Sequence, residues 1–330
     1  MKINIIGCGI SGITSALILK EQNHDVEIFD VRDHIGGNCY DEKQEGVTVH
    51  KYGSHIFHTN DEEAWNFVNR YSKFNDYKHK VRANTKYGLI SIPYNKKTTE
   101  QIGRELTSKE IQDLIFKQYS ERHWGIPWEE LPKSISGRLP NKRNNYDEHY
   151  FSEEYQGIPV NGYTEMFKNM LNGVKVNLGV SKTEYKKLKC DKMIYTGKPD
   201  EFFNFSFGKL PYRSLRFEHC KRRRDDKFSF EKGAVINECN TKKYNRTSDN
   251  GIFLNETNSK YTVFTRDYPE EHDETNDPIY PKNFGWGQII YEKYKKAILS
   301  ENNVLFLGRL ASYKYLDMWM AIKQVMIKLK

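Results

Sequence analysis

The sequence has few of the features that mark a secreted or membrane-spanning protein. Its 330 residues include only five cysteines, widely spaced and without a CxxC pair. This scarcity argues against a disulfide framework and against a structural zinc site. No apolar run approaches the roughly 20 residues that a bilayer-spanning helix needs. The chain begins directly with a strand-like segment, KINIIG, and shows no secretory signal. We therefore expect a cytoplasmic protein without membrane insertion.

The charge balance is positive but lacks a nucleic-acid signature. The formal net charge of +8 favours anionic partners such as phosphorylated small molecules. The densest basic run, CKRRRDDK at 220–227, contains two aspartates, and no nucleic-acid-binding motif is present. We interpret this run as a solvated turn between strands, and no nucleic-acid partner is expected.

The N-terminal segment predicts a dinucleotide-binding βαβ unit. A short apolar strand is followed by glycines in the spacing GxGxxG, then by a helical apolar pattern and a second strand. Such glycines make a tight turn and let a pyrophosphate approach the backbone, while the helix N-terminus offers free N–H groups. The predicted contacts are Gly7, Gly9, Gly12 and, at the end of the second strand, Asp30, which can accept hydrogen bonds from ribose hydroxyls.

The residues after Asp30 favour FAD over a nicotinamide cofactor. Arg32 and the pair Gly36-Gly37 follow the acid, an order similar to the extended dinucleotide motif of FAD proteins in the glutathione-reductase and amine-oxidase group. FAD is longer and needs a second point where the backbone comes close. A buried strand in NVLFLGRL, near the C-terminus, places Arg309 for a further phosphate contact.

The rest of the chain predicts an α/β fold built from three regions. A helical pattern covers 98–120, with an N-cap signal at Thr107, and the Gly- and Pro-containing stretch 125–147 predicts a long loop. Short alternating segments from 205 to 265 predict an antiparallel sheet. The predicted domains are a Rossmann-type FAD-binding domain (1–78, 155–204 and 286–330), an inserted small helical lobe with a mobile substrate loop (95–154), and an antiparallel β-sheet substrate domain (79–94 and 205–285).

The stretch VHKYGSHIFHT at 49–59 contains three histidines in eleven residues. By composition alone it allows a metal site or a cluster of catalytic bases, because imidazole serves both purposes.

Nine motifs along the chain belong together: GCGISG, DVRDHIGGN, YGSHIFHTND, YSERHWG, RLPNKRNNYD, YQGIPVNGYTEM, YNRTSDN, DPIYP and GRLASYKYLDM. With these motifs in family order, the chain resembles the bacterial-type UDP-galactopyranose mutases over its whole length. The resemblance implies an isomerase that needs reduced FAD and interconverts UDP-galactopyranose and UDP-galactofuranose, with flavin N5 attacking the anomeric carbon. It also implies that the product supplies galactofuranose for surface glycans.

The resemblance also implies roles for individual residues. His58 is expected beside the flavin ring, so no metal is expected in the histidine-rich stretch. Arg143 and Arg246 are expected to hold the diphosphate through forked hydrogen bonds, and they join His58 as the catalytic residues. Lys142 rivals Arg143, since this chain has one extra residue before the arginine.

The remaining implied contacts divide between substrate and cofactor. Tyr119 is expected to stack on uracil, whereas tyrosine hydroxyls at 163, 280 and 315 are expected to bind phosphate oxygens. The substrate-binding residues are Tyr119, Trp124, Tyr163, Asp267, Tyr280, Tyr315 and Asp317. The cofactor-binding residues are Gly7, Gly9, Ser11, Gly12, Asp30, Arg32, Gly36, Gly37, Asn38, His55, Arg309, Tyr315, Leu316 and Asp317.

The chain departs from the family pattern at several places. Ser54 replaces a proline before HIFHT, and Asp267 stands where the family usually has glutamate. The interval from Pro93 to Tyr119 is shorter than usual, which leaves a homodimer, a different dimer or a monomer open. UDP-N-acetylgalactosamine is an alternative substrate. An amine-oxidase-like redox flavoenzyme and a non-catalytic nucleotide-sugar binder are the alternative functions.

Overall fold

The computed structural model describes residues 1–137, 139–224, 233–240, 242–256 and 260–330. Its strands form two large sheets and two small two-stranded ones. In chain order the strands are β1 (Lys2–Ile6), β2 (Asp25–Phe29), β3 (Asp41–Gln44), β4 (Val47–His50), β5 (Phe57–Thr59), β6 (Val81–Thr85), β7 (Gly88–Ile92), β8 (Tyr155–Gly157), β9 (Lys175–Asn177), β10 (Lys192–Tyr195), β11 (Tyr212–Arg223), β12 (Val235–Glu238), β13 (Arg246–Asp249), β14 (Tyr261–Glu271), β15 (Tyr280–Pro281) and β16 (Val304–Phe306).

The helices pack on these sheets or form the segment between β7 and β8. Single turns of 3₁₀ helix cover Gly37–Cys39 and Trp128–Glu130, and a π-helical turn covers Gln112–Phe116. The α-helices are α1 (Ile10–Glu21), α2 (Glu62–Asn69), α3 (Lys96–Ile102), α4 (Ser108–Ile111), α5 (Lys117–Trp124), α6 (Lys133–Ser136), α7 (Tyr163–Met170), α8 (Lys182–Tyr185), α9 (Pro199–Phe202), α10 (Asn250–Phe253), α11 (Gly285–Leu299), α12 (Gly308–Ala311) and α13 (Met318–Leu329).

The first sheet is parallel throughout and has the order β16-β10-β1-β2-β9. The βαβ start and the return of later strands to this sheet are therefore confirmed. The turn from β1 into α1 requires glycine, because Gly7 has φ +106° and an added Cβ would lie 2.0 Å from Oγ1 of Thr196. A Cβ on Gly12 would lie 1.9 Å from the Gly7 carbonyl oxygen, so α1 packs closely against the end of β1.

The second sheet is mixed, which corrects the expectation of a purely antiparallel sheet. Its order is β15-β11-β14-β13-β12-β6-β7, and all neighbours are antiparallel except β6 and β12, which run parallel. Side-chain alternation predicts which residues share a face, but it does not predict the direction of a neighbouring strand. The strands of both sheets fall within the segments expected for their domains, and the division into domains stays a prediction.

The segment between the sheets is less continuous than its helical pattern predicts. Gly103, with φ +82°, ends α3, and Thr107 then caps α4 in a capping box with Glu110, as predicted. The predicted loop at 125–147 contains a 3₁₀ turn and α6. The basic run at 220–227 is not simply a turn, because β11 extends to Arg223; residues 225–227 lie outside the described residues.

Candidate active site

A cavity of about 880 Å³ lies at the carboxyl ends of the parallel strands. In sheets of this kind ligands bind where neighbouring strands end and their connections diverge. The cavity lining includes Gly7 after β1, Asp30 after β2, Thr196 after β10 and Gly308 after β16. β1, β2 and β10 therefore each contribute the residue that directly follows them to one shared wall, and β16 contributes Gly308, two residues after its end.

The glycine-rich part of the cavity suits a pyrophosphate. Helix α1 has Gly9 as its N-cap, without a side-chain cap and without an acidic residue in its first turn. Its first N–H groups therefore point outward with the positive end of the helix dipole. A Cβ on Gly37 would lie 2.9 Å from the Gly9 Cα, so two backbone segments meet here with no room for side chains.

Asp30 lies where a dinucleotide ribose is expected. Its Oδ2 accepts the Cys8 N–H over 2.5 Å, and its Oδ1 accepts the Arg32 N–H over 2.8 Å. These bonds orient the carboxylate at the cavity wall, where its remaining lone pairs can accept hydroxyl donors. Ribose, pyrophosphate and a long cavity together fit FAD.

Most of the predicted cofactor-binding residues come together in this cavity. Every one of them except Tyr315 is part of its lining. Tyr315 instead stacks on Tyr280 with ring centroids 5.6 Å apart, and the Arg309 guanidinium lies 5.1 Å from the Tyr315 ring centre. The individual contacts to FAD stay predictions. The cavity also has a wall that sequence reasoning missed, the segment 272–278.

His55 presents a defined tautomer to the cavity. Its Nδ1 lies 2.8 Å from the Gly53 carbonyl oxygen, which can only accept, so Nδ1 carries the proton and Nε2 keeps its lone pair. Burial, the neighbouring His50 and nearby arginines, including Arg246, lower the pKa of His55 to about 3. His55 is therefore neutral at physiological pH and offers a hydrogen-bond acceptor.

Arg246 and Asp267 form a charged pair that the second sheet contributes to the candidate site. Nε of Arg246 donates to Oδ2 of Asp267 over 2.5 Å, and Asp267 is only 1% exposed. Burial lowers the pKa of Arg246, but the Asp267 carboxylate outweighs this and raises it well above the ordinary value. The guanidinium therefore remains charged at every working pH, while its side chain keeps 22% exposure.

Aromatic residues of α5 and β15 lie near enough to this arginine to interact with its charge. The His123 ring lies parallel to Tyr119 at 6.1 Å and edge-on to Tyr280 at 4.8 Å. Burial, Arg246 and Arg213 lower the pKa of His123 to about 3, so it adds no positive charge. Arg246 thus stands as a cation among neutral rings, an arrangement that suits an anion attached to a planar base.

Two arginines that the sequence analysis missed hold α5 in place. Arg122 Nε donates to the Asn245 side chain over 2.9 Å, and its other nitrogens bind backbone carbonyls of 238 and 240. Arg213 donates to the carbonyls of Arg122 and His123. Because Arg213 lies on β11, these bonds fix the aromatic side chains of α5 against the sheet. No local pattern distinguishes such arginines from surface ones.

His58 is held by two residues from the segment before β8. Its Nδ1 lies 3.0 Å from Oε1 of Glu153, and its ring stacks on Phe151 at 3.7 Å. The hydrogen bond with His58 lowers the pKa of Glu153 and outweighs burial, which raises it. The carboxylate is therefore ionised. Sequence reasoning missed Glu153 and Phe151, because nothing local links them to a histidine 95 positions earlier.

Arg143 lines a separate groove of about 590 Å³ beside the His58 partners. Its guanidinium is paired with Asp147, whereas Lys142 is paired with Glu105. The groove is shared with Phe151 and Glu153, so it adjoins His58. In this conformation Asp147 engages the Arg143 guanidinium and Asp267 engages that of Arg246, so joint action on one diphosphate requires Arg143 to leave Asp147.

Two predicted substrate contacts lie in the protein interior. Tyr163, at the start of α7, is 0% exposed and packs against the edge of His50 at 5.7 Å. Gly162, with φ +84°, places the first turn of α7 on the buried Asp41 carboxylate, which accepts the Tyr163 N–H. The phosphate contact of the Tyr163 hydroxyl stays a prediction. Trp124 is 6% exposed and packs on Phe284 and on Tyr280, so its ring is part of the packing around the aromatic residues of α5 and β15. Asp317 precedes α13 at the cofactor cavity.

The described residues provide no cluster suited to a metal. Among them, no group of three or more His, Cys, Asp or Glu could hold such an ion. The three histidines of 49–59 instead take separate roles in packing, in the cavity wall and beside Glu153. Within the same described part of the chain, no helix has the length and apolar character needed to cross a membrane.

The fold and the cavity define the chain as a flavoprotein with a Rossmann-type FAD-binding domain. A profile for an NAD(P)-binding Rossmann-like domain matches residues 5–71, and one described as UDP-galactopyranose mutase matches residues 114–315. The chain belongs to the UDP-galactopyranose mutase family, and it is an isomerase of this kind with FAD as its cofactor.

Relatives and solved structures agree with this assignment. A dTDP-fucopyranose mutase of Escherichia coli is 36% identical, over 98% of this chain and 96% of that protein. A probable UDP-galactopyranose mutase of Klebsiella pneumoniae is 33% identical, over 98% and 92%. A crystal structure of reduced UDP-galactopyranose mutase superposes with a TM-score of 0.80 at 12% identity, over 99% of this chain and 94% of that one, which shows the shared fold.

Proposed function

We propose that this enzyme interconverts UDP-galactopyranose and UDP-galactofuranose when its FAD is reduced. The observation that carries the proposal is Arg246, a permanent cation that buried Asp267 holds near the rings of Tyr119, His123 and Tyr280. A diphosphate fits the cation, and a pyrimidine fits the rings. A redox enzyme acting on an amine would have no use for this pairing.

The chain's own residues would bind and orient the sugar nucleotide. Reduced FAD supplies the nucleophile for the anomeric carbon, so the protein has to retain the departing nucleotide. Arg246 would stabilise the charge that develops on the diphosphate, and Arg143 would add a second guanidinium after leaving Asp147. His58, oriented by Glu153, would sit beside the reacting groups with Nε2 available for a hydrogen bond.

A dTDP-fucopyranose is the second candidate substrate. The observation that favours it is the Escherichia coli relative, named dTDP-fucopyranose mutase, which is 36% identical to this chain. Both substrates join a pyrimidine nucleotide diphosphate to a hexose, so Arg246 and its aromatic neighbours serve either one. The ring contraction would be the same reaction in both cases.

The test is a product assay on the purified flavoprotein. UDP-galactofuranose and dTDP-fucofuranose are incubated separately, with and without dithionite, and the products are resolved by chromatography. We expect UDP-galactopyranose to form only after reduction, and faster than the fucose product. Faster turnover of the dTDP sugar would replace the first substrate with the second. A reduced, FAD-loaded enzyme inert towards both would contradict the proposal, and UDP-N-acetylgalactofuranose would be assayed next.

A further inference from the structure

The connection between β14 and β15 forms a wall of the FAD cavity. Its residues 272–278 belong to the cavity lining, and Ile279, the last residue before β15, does not. The other walls around the ribose site come from the parallel sheet, whereas this segment belongs to the second sheet. It therefore closes the cavity from a different part of the chain, and its attachment decides whether bound FAD stays enclosed.

The segment is attached to the parallel sheet by Arg32 and Asp277. Nη2 of Arg32 lies 2.9 Å from Oδ2 of Asp277. Arg32 is itself well held: it donates to Oδ1 of Asn38 over 2.9 Å, and its guanidinium lies 4.4 Å from the Tyr52 ring centre. Since Arg32 is two residues after Asp30, this contact lies next to the carboxylate expected at the FAD ribose.

The segment is ordered by its own bonds and by bonds to β11, including one in which Oγ of Ser214 donates to the Asp277 carbonyl over 2.7 Å. Oδ1 of Asn276 accepts the Asp273 N–H over 3.1 Å, and Nδ2 of Asn276 donates to the Glu271 carbonyl over 3.0 Å. At its first residue, Nζ of Lys198 donates to Nε2 of His272 over 2.9 Å. Both ends of the segment thus contact loops that follow strands of the parallel sheet.

We propose that segment 272–278 retains FAD by covering its adenosine end, and that the Arg32–Asp277 ion pair is the contact that keeps this cover closed. Arg32 then acts on the cofactor through Asp277, as a positioning residue. Asp277 has 48% of its side chain exposed, so salt can screen the pair. The inference needs FAD only, and it holds whichever sugar nucleotide the enzyme converts.

The experiment measures FAD release in the absence of any sugar nucleotide. The FAD-loaded protein is chased with excess 5-deaza-FAD, and retained FAD is read from the visible absorbance after desalting. We expect D277N to release FAD about two- to fivefold faster at low salt, as for other exposed ion pairs. R32Q should behave similarly, and the double variant should be no faster than the faster single one. Added NaCl should accelerate release from the native protein only.

A matched control removes an ion pair that does not cover the cavity. E270Q breaks the pair between Arg216 and Glu270, 3.1 Å apart on the same sheet and partly exposed, and should leave release unchanged. A D277N variant that releases FAD at the native rate would overturn the proposal. So would additive effects of the two substitutions, since Arg32 would then act on FAD directly. Because no turnover is measured, an enzyme inert towards UDP-galactofuranose leaves this result intact.

Discussion

Arg246 and Asp267 face each other across the antiparallel pair β13 and β14, joined by a 2.5 Å hydrogen bond. The carboxylate is buried and the arginine side chain is partly exposed, so the positive member of the pair is the one that a ligand can reach. A cation oriented in this way before the ligand arrives does not have to be reorganised during the reaction. The shorter side chain of Asp267 still reaches its partner because the two residues are directly opposite in register.

Replacing Arg246 with lysine should keep the charge but lose the forked contact with the diphosphate. We expect kcat/KM to fall on the order of 100-fold, because a lysine cannot make the two parallel hydrogen bonds by which a guanidinium holds phosphate oxygens. Steady-state kinetics of the reduced enzyme and nucleotide titration check this. R216K, an exposed arginine of the same sheet, is the control. Native affinity and kcat/KM in R246K would contradict the assignment.

Arg143 and Lys142 can be separated by single substitutions. R143A should raise KM for the nucleotide sugar on the order of tenfold, because a guanidinium that can reach the diphosphate is lost. K142A should stay near the native value, since it removes only an exposed pair with Glu105. Both variants are compared at equal FAD content. A larger increase in KM for K142A than for R143A would identify Lys142 as the residue that binds the diphosphate.

Glu153 should matter for turnover through His58. In E153Q the His58 ring keeps a neutral acceptor but loses the carboxylate that orients and stabilises it. We expect kcat to fall about tenfold with little change in KM, as for other positioning hydrogen bonds to a catalytic histidine. Exposed Glu154 supplies the control, E154Q. A lower affinity with unchanged kcat would show that Glu153 serves binding instead.

Stability should decrease as the solution is acidified below neutral pH. Burial lowers the pKa of His55, His79 and His123 to about 3 and that of His50 to about 4, against 6.5 for the ordinary side chain. Between these folded-state values and 6.5, the unfolded chain therefore binds more protons than the folded protein. The stability that these neutral rings contribute is complete above pH 6.5 and is lost as the pH falls towards 3.

Urea unfolding of the FAD-loaded protein between neutrality and pH 5 measures this effect. Each histidine should reduce the free energy of unfolding by up to about 1.4 kcal/mol per pH unit. H79N removes one of the groups, so it should flatten the slope whatever its effect on absolute stability. A free energy of unfolding that does not change over this range would rule out neutral buried histidines.

Local sequence patterns predicted those structural elements that depend only on residues close together in the sequence. The glycines of GxGxxG act within one turn, and the Thr107 capping box links residues three apart, so both follow from short-range geometry. The βαβ start, the strands returning to it and the family motifs could be recognised for the same reason. The net charge indicated an anionic partner, but it did not show which side chains would reach it.

Tertiary structure decided the contacts between distant parts of the chain. Arg32 meets Asp277, and His58 meets Glu153, only because the sheets bring their loops together. Tyr163 belongs to one of the family motifs, and the packing of α7 buries its side chain. The sequence by itself thus determined the cofactor-binding unit and the enzyme family, through spacings of a few residues. The Arg246–Asp267 pair, its orientation and the Arg32–Asp277 contact depend on strand register and loop topology, which no short spacing encodes.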